Sequence, residues 1–191
     1  MSANGLLDPH LDQLLGRART VAAETARLAS GLSAPQLLWS PQPGSWGIAA
    51  CFDHLRVIGD LYYGRTRQAI EETRARKLTR TGDWRPTWFG RNFIAAAGPQ
   101  VKVRLRAIRM FRPSPQPPAE SWRAFLAQQE TLYGLLTDAD GLDLRTVRIG
   151  SPLTRLVTLR LGECLTMLVG HEERHLAQAE RVRQAPGFPA V

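Results

Sequence analysis

Cysteine is scarce. Cys51 and Cys164 allow at most one disulfide in 191 residues, which excludes a disulfide-stapled secreted scaffold. Both fall inside apolar patterns of helical spacing, where a reduced thiol packs as a small apolar side chain. No apolar run approaches the ~18–20 residues that span a bilayer. The opening stretch MSANGLLDPHLDQLLG lacks a basic start followed by an apolar core, so no secretory leader is expected and a cytoplasmic location is. Lysine is nearly missing, with Lys77 and Lys102 alone, so arginine supplies almost all of the 25 basic residues set against 17 acidic ones. There is no internal repeat and no low-complexity tract. Histidine occurs only four times, which makes the position of each one informative.

What is present is a soluble-protein composition, 43% hydrophobic and 22% charged, with enough length for one domain over residues 1–191. The net charge of +8 can attract nucleic acid, anionic membranes or acidic small molecules. The basic run Lys102, Arg104, Arg106, Arg109 and Arg112 lies beside Phe111, yet no nucleic-acid motif accompanies it. It reads first as a solvated connection or a dimer contact. Neither nucleic acid nor a membrane is expected as a partner.

Four amphipathic segments organise the chain. The first opens at Asp8-Pro9, a capping acid before a proline at the first helical position. It continues through Leu11, Leu14, Leu15, Ala18, Val21, Ala22 and Leu28 towards a stop at Gly31. Ser33 and Gln36 match a capping box, and the breaker-rich stretch 39–45 reads as a loop. Ser45 is expected to cap the second helix, whose stripe is Ile48, Cys51, Phe52, Leu55, Ile58 and Tyr62, running to about Lys77. Residues 78–118 are irregular, with an alternation over 101–106 that suits a short extended piece. Trp84, Trp88 and Phe89 there read either as a roof over one end of the fold or as core. The third helix spans about Pro118 to Thr137. Thr158 is expected to cap the fourth, which ends near Arg183. Four such stripes bury one another in an all-α bundle, and the long link between the second and third helices must cross over or cap one end.

The fourth helix carries the chemistry. Its inward stripe is Leu161, Cys164, Leu168, His171, His175, Gln178 and Val182, stepping by three and four. Two histidines and a glutamine therefore stand where leucine would, and polar groups in a core need partners. Histidines at i and i+4 lie one turn apart on one face and can converge on one ion. His54, in step with Cys51 and Ile58, faces inward from the second helix and supplies a third imidazole. Three histidines leave coordination positions for water or substrate and suit zinc, nickel or ferrous iron. Ordinary core histidines satisfied by neighbours are the competing reading, weakened because three of the four sit on inward stripes. The same residues, His171-Glu-Glu-Arg-His175, also fit the HExxH pattern with Glu172 as base. A metzincin would need glycine at 178 and histidine at 181, where Gln178 and Arg181 stand.

These residues carry a resemblance. The stretch LLWSPQPGSWGIAACFDHL over 37–55, the short FRPSP over 111–115 and LRLGECLTMLVGHEERHLAQ over 159–178 occur in the order, and with the character, of the DinB-like superfamily. The resemblance covers most of residues 9–183. It implies an up-down-down-up four-helix bundle with a long crossover between the second and third helices, and a metal triad at His54, His171 and His175. It implies a homodimer, and for some relatives S-transferase or isomerase chemistry with a low-molecular-weight thiol. Gln178 and, less directly, Gln129 are pocket candidates. Glu172 and Asp53 adjoin the ligands in sequence but are rotated ~100° from them on the helix. Two functions are expected on these grounds. One is a metal-dependent small-molecule enzyme, a thiol-dependent transferase or a hydrolase-like protein. The other is a non-enzymatic, stress-related metal- or ligand-binding homodimer.

Overall fold

The computed structural model describes residues 6–99, 108–154 and 156–190. Six helices dominate: α1 (Pro9–Ala29), α2 (Ala34–Leu38), α3 (Ile48–Ala75), α4 (Trp88–Ala97), α5 (Ser121–Asp138) and α6 (Leu161–Arg183). A 3-10 turn covers Arg109–Phe111, and a short antiparallel pair, β1 (Arg148–Gly150) and β2 (Thr158–Arg160), precedes α6. No helix among the described residues is long and apolar enough to cross a membrane.

Local chemistry sets the helix ends. Asp8 caps α1 as expected, its Oδ1 accepting from the His10 N–H at 2.9 Å, and Pro9 follows it. Ser33 and Gln36 pair as a capping box, with Oε1 of Gln36 taking the Ser33 N–H at 2.9 Å. Two expected caps are corrected. Ser45 does not cap the second long helix, because its hydroxyl is spent inside the 40–45 turn on Ser40 and Gln42. Gly47 is the cap residue of α3 instead. A side chain there would strike the Trp39 carbonyl, which lies 2.4 Å from where a Cβ would sit. Thr158 belongs to β2, and Arg160 is the cap residue of α6. Glu163, at the third helical position, reaches back to the Arg160 N–H at 2.8 Å. The extended piece expected over 101–106 lies outside the described residues.

The four long helices pack in pairs, α1 against α5 and α6, and α3 against α5 and α6. Side-chain partners give their directions. His10 meets Thr166, Arg17 meets Glu173 and Arg27 meets Glu180, so α1 and α6 advance together. Gln128 meets Asp60 and Arg74 meets Asp138, so α3 and α5 advance together.

The apolar core falls into two clusters. Along α6 one stops at Val169 and the other starts at Leu176. Along α5 the break lies between Phe125 and Leu132, and along α3 between Leu55 and Ile58. The gap is filled by His54, Gln129, Glu172 and His175, all buried, with His171 partly so. A polar layer thus crosses the fold, where each group needs a hydrogen bond or an ion to be tolerated.

Candidate metal centre

His54 on α3 and His171 and His175 on α6 face one another inside this layer. Their ring centroids stand 4.5 to 5.1 Å apart. One nitrogen from each can be chosen so that all three lie within 4.8 Å of one another. The spacing on α6 makes this convergence, since residues four apart stack on one face.

The outer nitrogens decide the tautomers. Nδ1 of His54 donates to the Phe111 carbonyl, and Nδ1 of His171 donates to the Ala97 carbonyl at 3.1 Å. A carbonyl oxygen only accepts, so both Nδ1 atoms carry the proton and both Nε2 atoms present lone pairs. Those two Nε2 atoms lie 2.9 Å apart. Burial pushes the His54 pKa down to about 4, and burial, together with neighbouring His54, pushes that of His171 down to about 3. Burial and the two other imidazoles lower His175 well below its usual range. At neutral pH all three rings are therefore uncharged, and two lone pairs point at each other with no proton between them. A cation resolves that contact. An ion held by both nitrogens would take the two lone pairs that otherwise repel. The donor set fits a divalent transition ion, and the carbonyl partners supply the outer hydrogen bonds that fix ligating imidazoles.

The surroundings complete the site. The Trp46 ring tilts over His54 at 4.8 Å and over His175 at 5.7 Å. Nδ1 of His175 is buried without a hydrogen-bond partner of normal geometry among the described residues, although half-buried Gln178, one turn on, favours its protonated form. Asp53 is buried and turns away from the imidazoles. Its Oδ2 accepts from the Ser114 N–H at 2.6 Å and its Oδ1 from Arg56 at 3.1 Å. Burial alone would raise the Asp53 carboxyl, but these bonds hold it below the ordinary range. Glu172 also turns away. Its Oε1 accepts from Gln129 Nε2 at 3.0 Å, with the Tyr63 hydroxyl at 3.4 Å, and burial pushes its pKa up to about 8. Gln129 is thus a partner of Glu172. The fourth histidine, His10, bonds Thr166 and stacks on Trp84 at 4.4 Å.

Sequence reasoning overlooked Trp46, the two carbonyls and Arg174. Arg174 donates to the Ala96 carbonyl at 2.9 Å, and its charge adds to the lowering of all three imidazoles. Carbonyl acceptors have no signature in side-chain pattern. Trp46 was visible as a residue beside the α3 entry, without a cue to its direction. The roof or core reading of Trp88 and Phe89 is corrected, because both side chains are exposed while Trp84 is half-buried. α4 is anchored through Thr87 and Gly90 to Glu163, and its Phe93, Ile94 and Ala97 pack against the core.

No curated protein and no solved structure matches the chain. A family model described as the DinB superfamily matches residues 17–179, a span that contains all three imidazoles, the whole of α3 and most of α6, and the chain belongs to that superfamily.

Proposed function

We propose that this chain is a metal-dependent enzyme acting on a small molecule, with one divalent transition ion (zinc, nickel or ferrous iron) held by His54, His171 and His175. We read its four long helices as the single-domain, up-down-down-up bundle, with α4 and residues 98–120 as the crossover. The observation that carries the function is the pair of neutral Nε2 lone pairs 2.9 Å apart, each fixed by a carbonyl on its far side. Bound there, the ion would act as a Lewis acid with positions left for a substrate atom.

Within this reading the residues have separate tasks. Phe111 and Ala97 orient two of the ligands through their carbonyls. Trp46 covers two rings and limits the water that reaches them. Glu172 is turned into the α3–α5 side and has no part as a base in this reading. Cys51 and Cys164 are fully buried, with thiols pushed up to about 12 by burial, so a thiolate at the ion would come from a low-molecular-weight thiol cosubstrate. The assembly proposed is a homodimer.

Metal analysis of the purified protein tests the first step, with about one equivalent expected in the wild type and less than about half in His171→Ala. A panel of electrophiles, assayed with and without a small thiol and with and without the metal, tests the second. Metal content that is low in both proteins removes the metal centre. Metal retained without turnover on any electrophile, with one ligand bound tightly, replaces the enzyme with a binding protein.

A further inference from the structure

One charge beside the imidazoles has no counter-charge. All 17 acidic side chains of the chain lie at described positions. Half-buried Arg17 pairs with Glu173, half-buried Arg56 with Asp53 and Asp60, and half-buried Arg80 with Asp8. Arg174 is half-buried as well, yet no carboxylate among the described residues forms an ion pair with it. The charge that acts on its guanidinium is that of Arg181, which repels it. A partly desolvated cation with no anion beside it costs free energy.

Hydrogen bonds fix where this cation sits. Arg174 lies on α6 between His171 and His175, and its Nη1 donates to the Ala96 carbonyl at 2.9 Å. The next carbonyl, that of Ala97, takes Nδ1 of His171 at 3.1 Å. Guanidinium and imidazole therefore stand side by side on the end of α4, and the Arg174 charge reaches all three imidazoles. Arg174, Gln178 and Arg181 share one face of α6, at i, i+4 and i+7. Gln178 acts on His175, and Arg181 on Cys51 of α3, so this face borders α3 next to the imidazoles. The carboxylates nearby are engaged elsewhere: Asp53 with Ser114 and Arg56, Glu172 with Gln129, Glu173 with Arg17. Among the described residues no acidic side chain joins the three imidazoles. An ion on three neutral ligands would keep its full charge, and Arg174 adds one more, so the site favours an anion.

We propose, resting on the metal centre proposed above, that the small molecule bound there carries a carboxylate and that Arg174 is the residue that recognises it. A donor atom of that molecule would take an open position on the ion. Its carboxylate would take the planar fork of Arg174, which suits two carboxylate oxygens at once. The bond to the Ala96 carbonyl needs one donor and no charge, so a glutamine would serve it equally. The charge of Arg174 is what that bond leaves unused.

Thiols of like length and different charge test it on the full-length protein loaded with cobalt(II), whose absorption reports a bound thiolate. 3-Mercaptopropionate is compared with its methyl ester, the same chain without the charge, and with cysteamine, which carries the opposite charge. The acid is expected to bind at least about tenfold tighter than either. In Arg174→Gln the acid should lose about tenfold and the ester almost nothing, with cobalt content unchanged. Arg174→Lys, which keeps the charge without the fork, should recover part of the loss. A thiol acid that owed its advantage to chelating the ion by itself would keep it in Arg174→Gln, and that result overturns the proposal. Equal binding of acid and ester by the wild type also overturns it, and that comparison stands even if Arg174→Gln misfolds. A wild type that takes up no cobalt fails at the metal centre and removes this inference with it. Cobalt held, with acid and ester bound alike, fails here alone.

Discussion

Stripping the metal and lowering the pH from 7 to 5 probes the histidine layer through stability. An unfolded imidazole takes up a proton below its ordinary pKa of 6.5, whereas folded His54 refuses one until about 4 and folded His171 until about 3. Over that window the unfolded chain binds more protons, so stability falls as the pH falls, and each of the two costs the fold about 2 kcal/mol between pH 7 and 5. His175 acts in the same direction. Glu172 opposes them. Its folded pKa of about 8 stands above the unfolded 4.5, so the folded chain holds a proton that the unfolded chain lacks, and the fold recovers about 2–3 kcal/mol over the same window. Glu172 thus offsets only part of the loss from the three imidazoles, and the comparison of variants is the decisive measurement. His54→Gln keeps a donor for the Phe111 carbonyl and removes one titration. In chelator-treated protein its melting temperature should fall about 4–8 °C less than that of the wild type between pH 7 and 5. Glu172→Gln, which removes the opposing group, should fall further than the wild type. Parallel curves for wild type and His54→Gln would refute the claim that these imidazoles are buried and neutral.

Two further outcomes are expected from packing. Cys51 and Cys164 should resist alkylation by a thiol reagent at pH 8 in the native protein and react fully in denaturant, since both are buried with thiols pushed up to about 12. Gly90→Ala should lower stability by about 1–3 kcal/mol in urea unfolding. Its added Cβ would sit 2.1 Å from Glu163 Oε1, displacing a carboxylate that takes the Thr87 N–H at 2.8 Å and the Arg160 N–H at 2.8 Å.

The helices and the triad were legible because both are written as periodicity. Leu11, Leu14, Leu15, Ala18 and Val21 announced the buried face of α1, and Asp8-Pro9 its start, at the residues where they stand. His171 and His175 occupy positions of an apolar stripe, and His54 keeps step with Cys51 and Ile58. Pattern alone places such residues inward. What was not legible depends on contacts between distant segments. Whether Ser45 caps a helix or closes a turn is decided by its neighbours Ser40 and Gln42. The β1–β2 pair is three residues a side, too short for alternation to register. α4 begins two residues after Pro86, exposes Trp88 and Phe89 at its start and packs Phe93, Ile94 and Ala97 against the core, a division set by its contact with α6 and not by its own pattern.

The two overlooked carbonyls also change how the crossover is understood. Phe111 and Ala97 stand on opposite sides of residues 100–107, and each fixes the tautomer of one imidazole. A free imidazole exchanges its proton between two nitrogens, and one of its two neutral tautomers presents an N–H at Nε2 in place of a lone pair. Holding Nδ1 as the donor removes that competition before any ion arrives. The Asp53 carboxylate, which takes the Ser114 N–H at 2.6 Å, ties the same segment to α3 one residue from His54. Ala97, Phe111 and Ser114 are thus coupled in stability to the buried imidazoles and to α3. Whatever holds Ala97 and Phe111 in place keeps two lone pairs aimed inward, and in the function proposed above an ion bound by those lone pairs would in turn stabilise both segments by mass action.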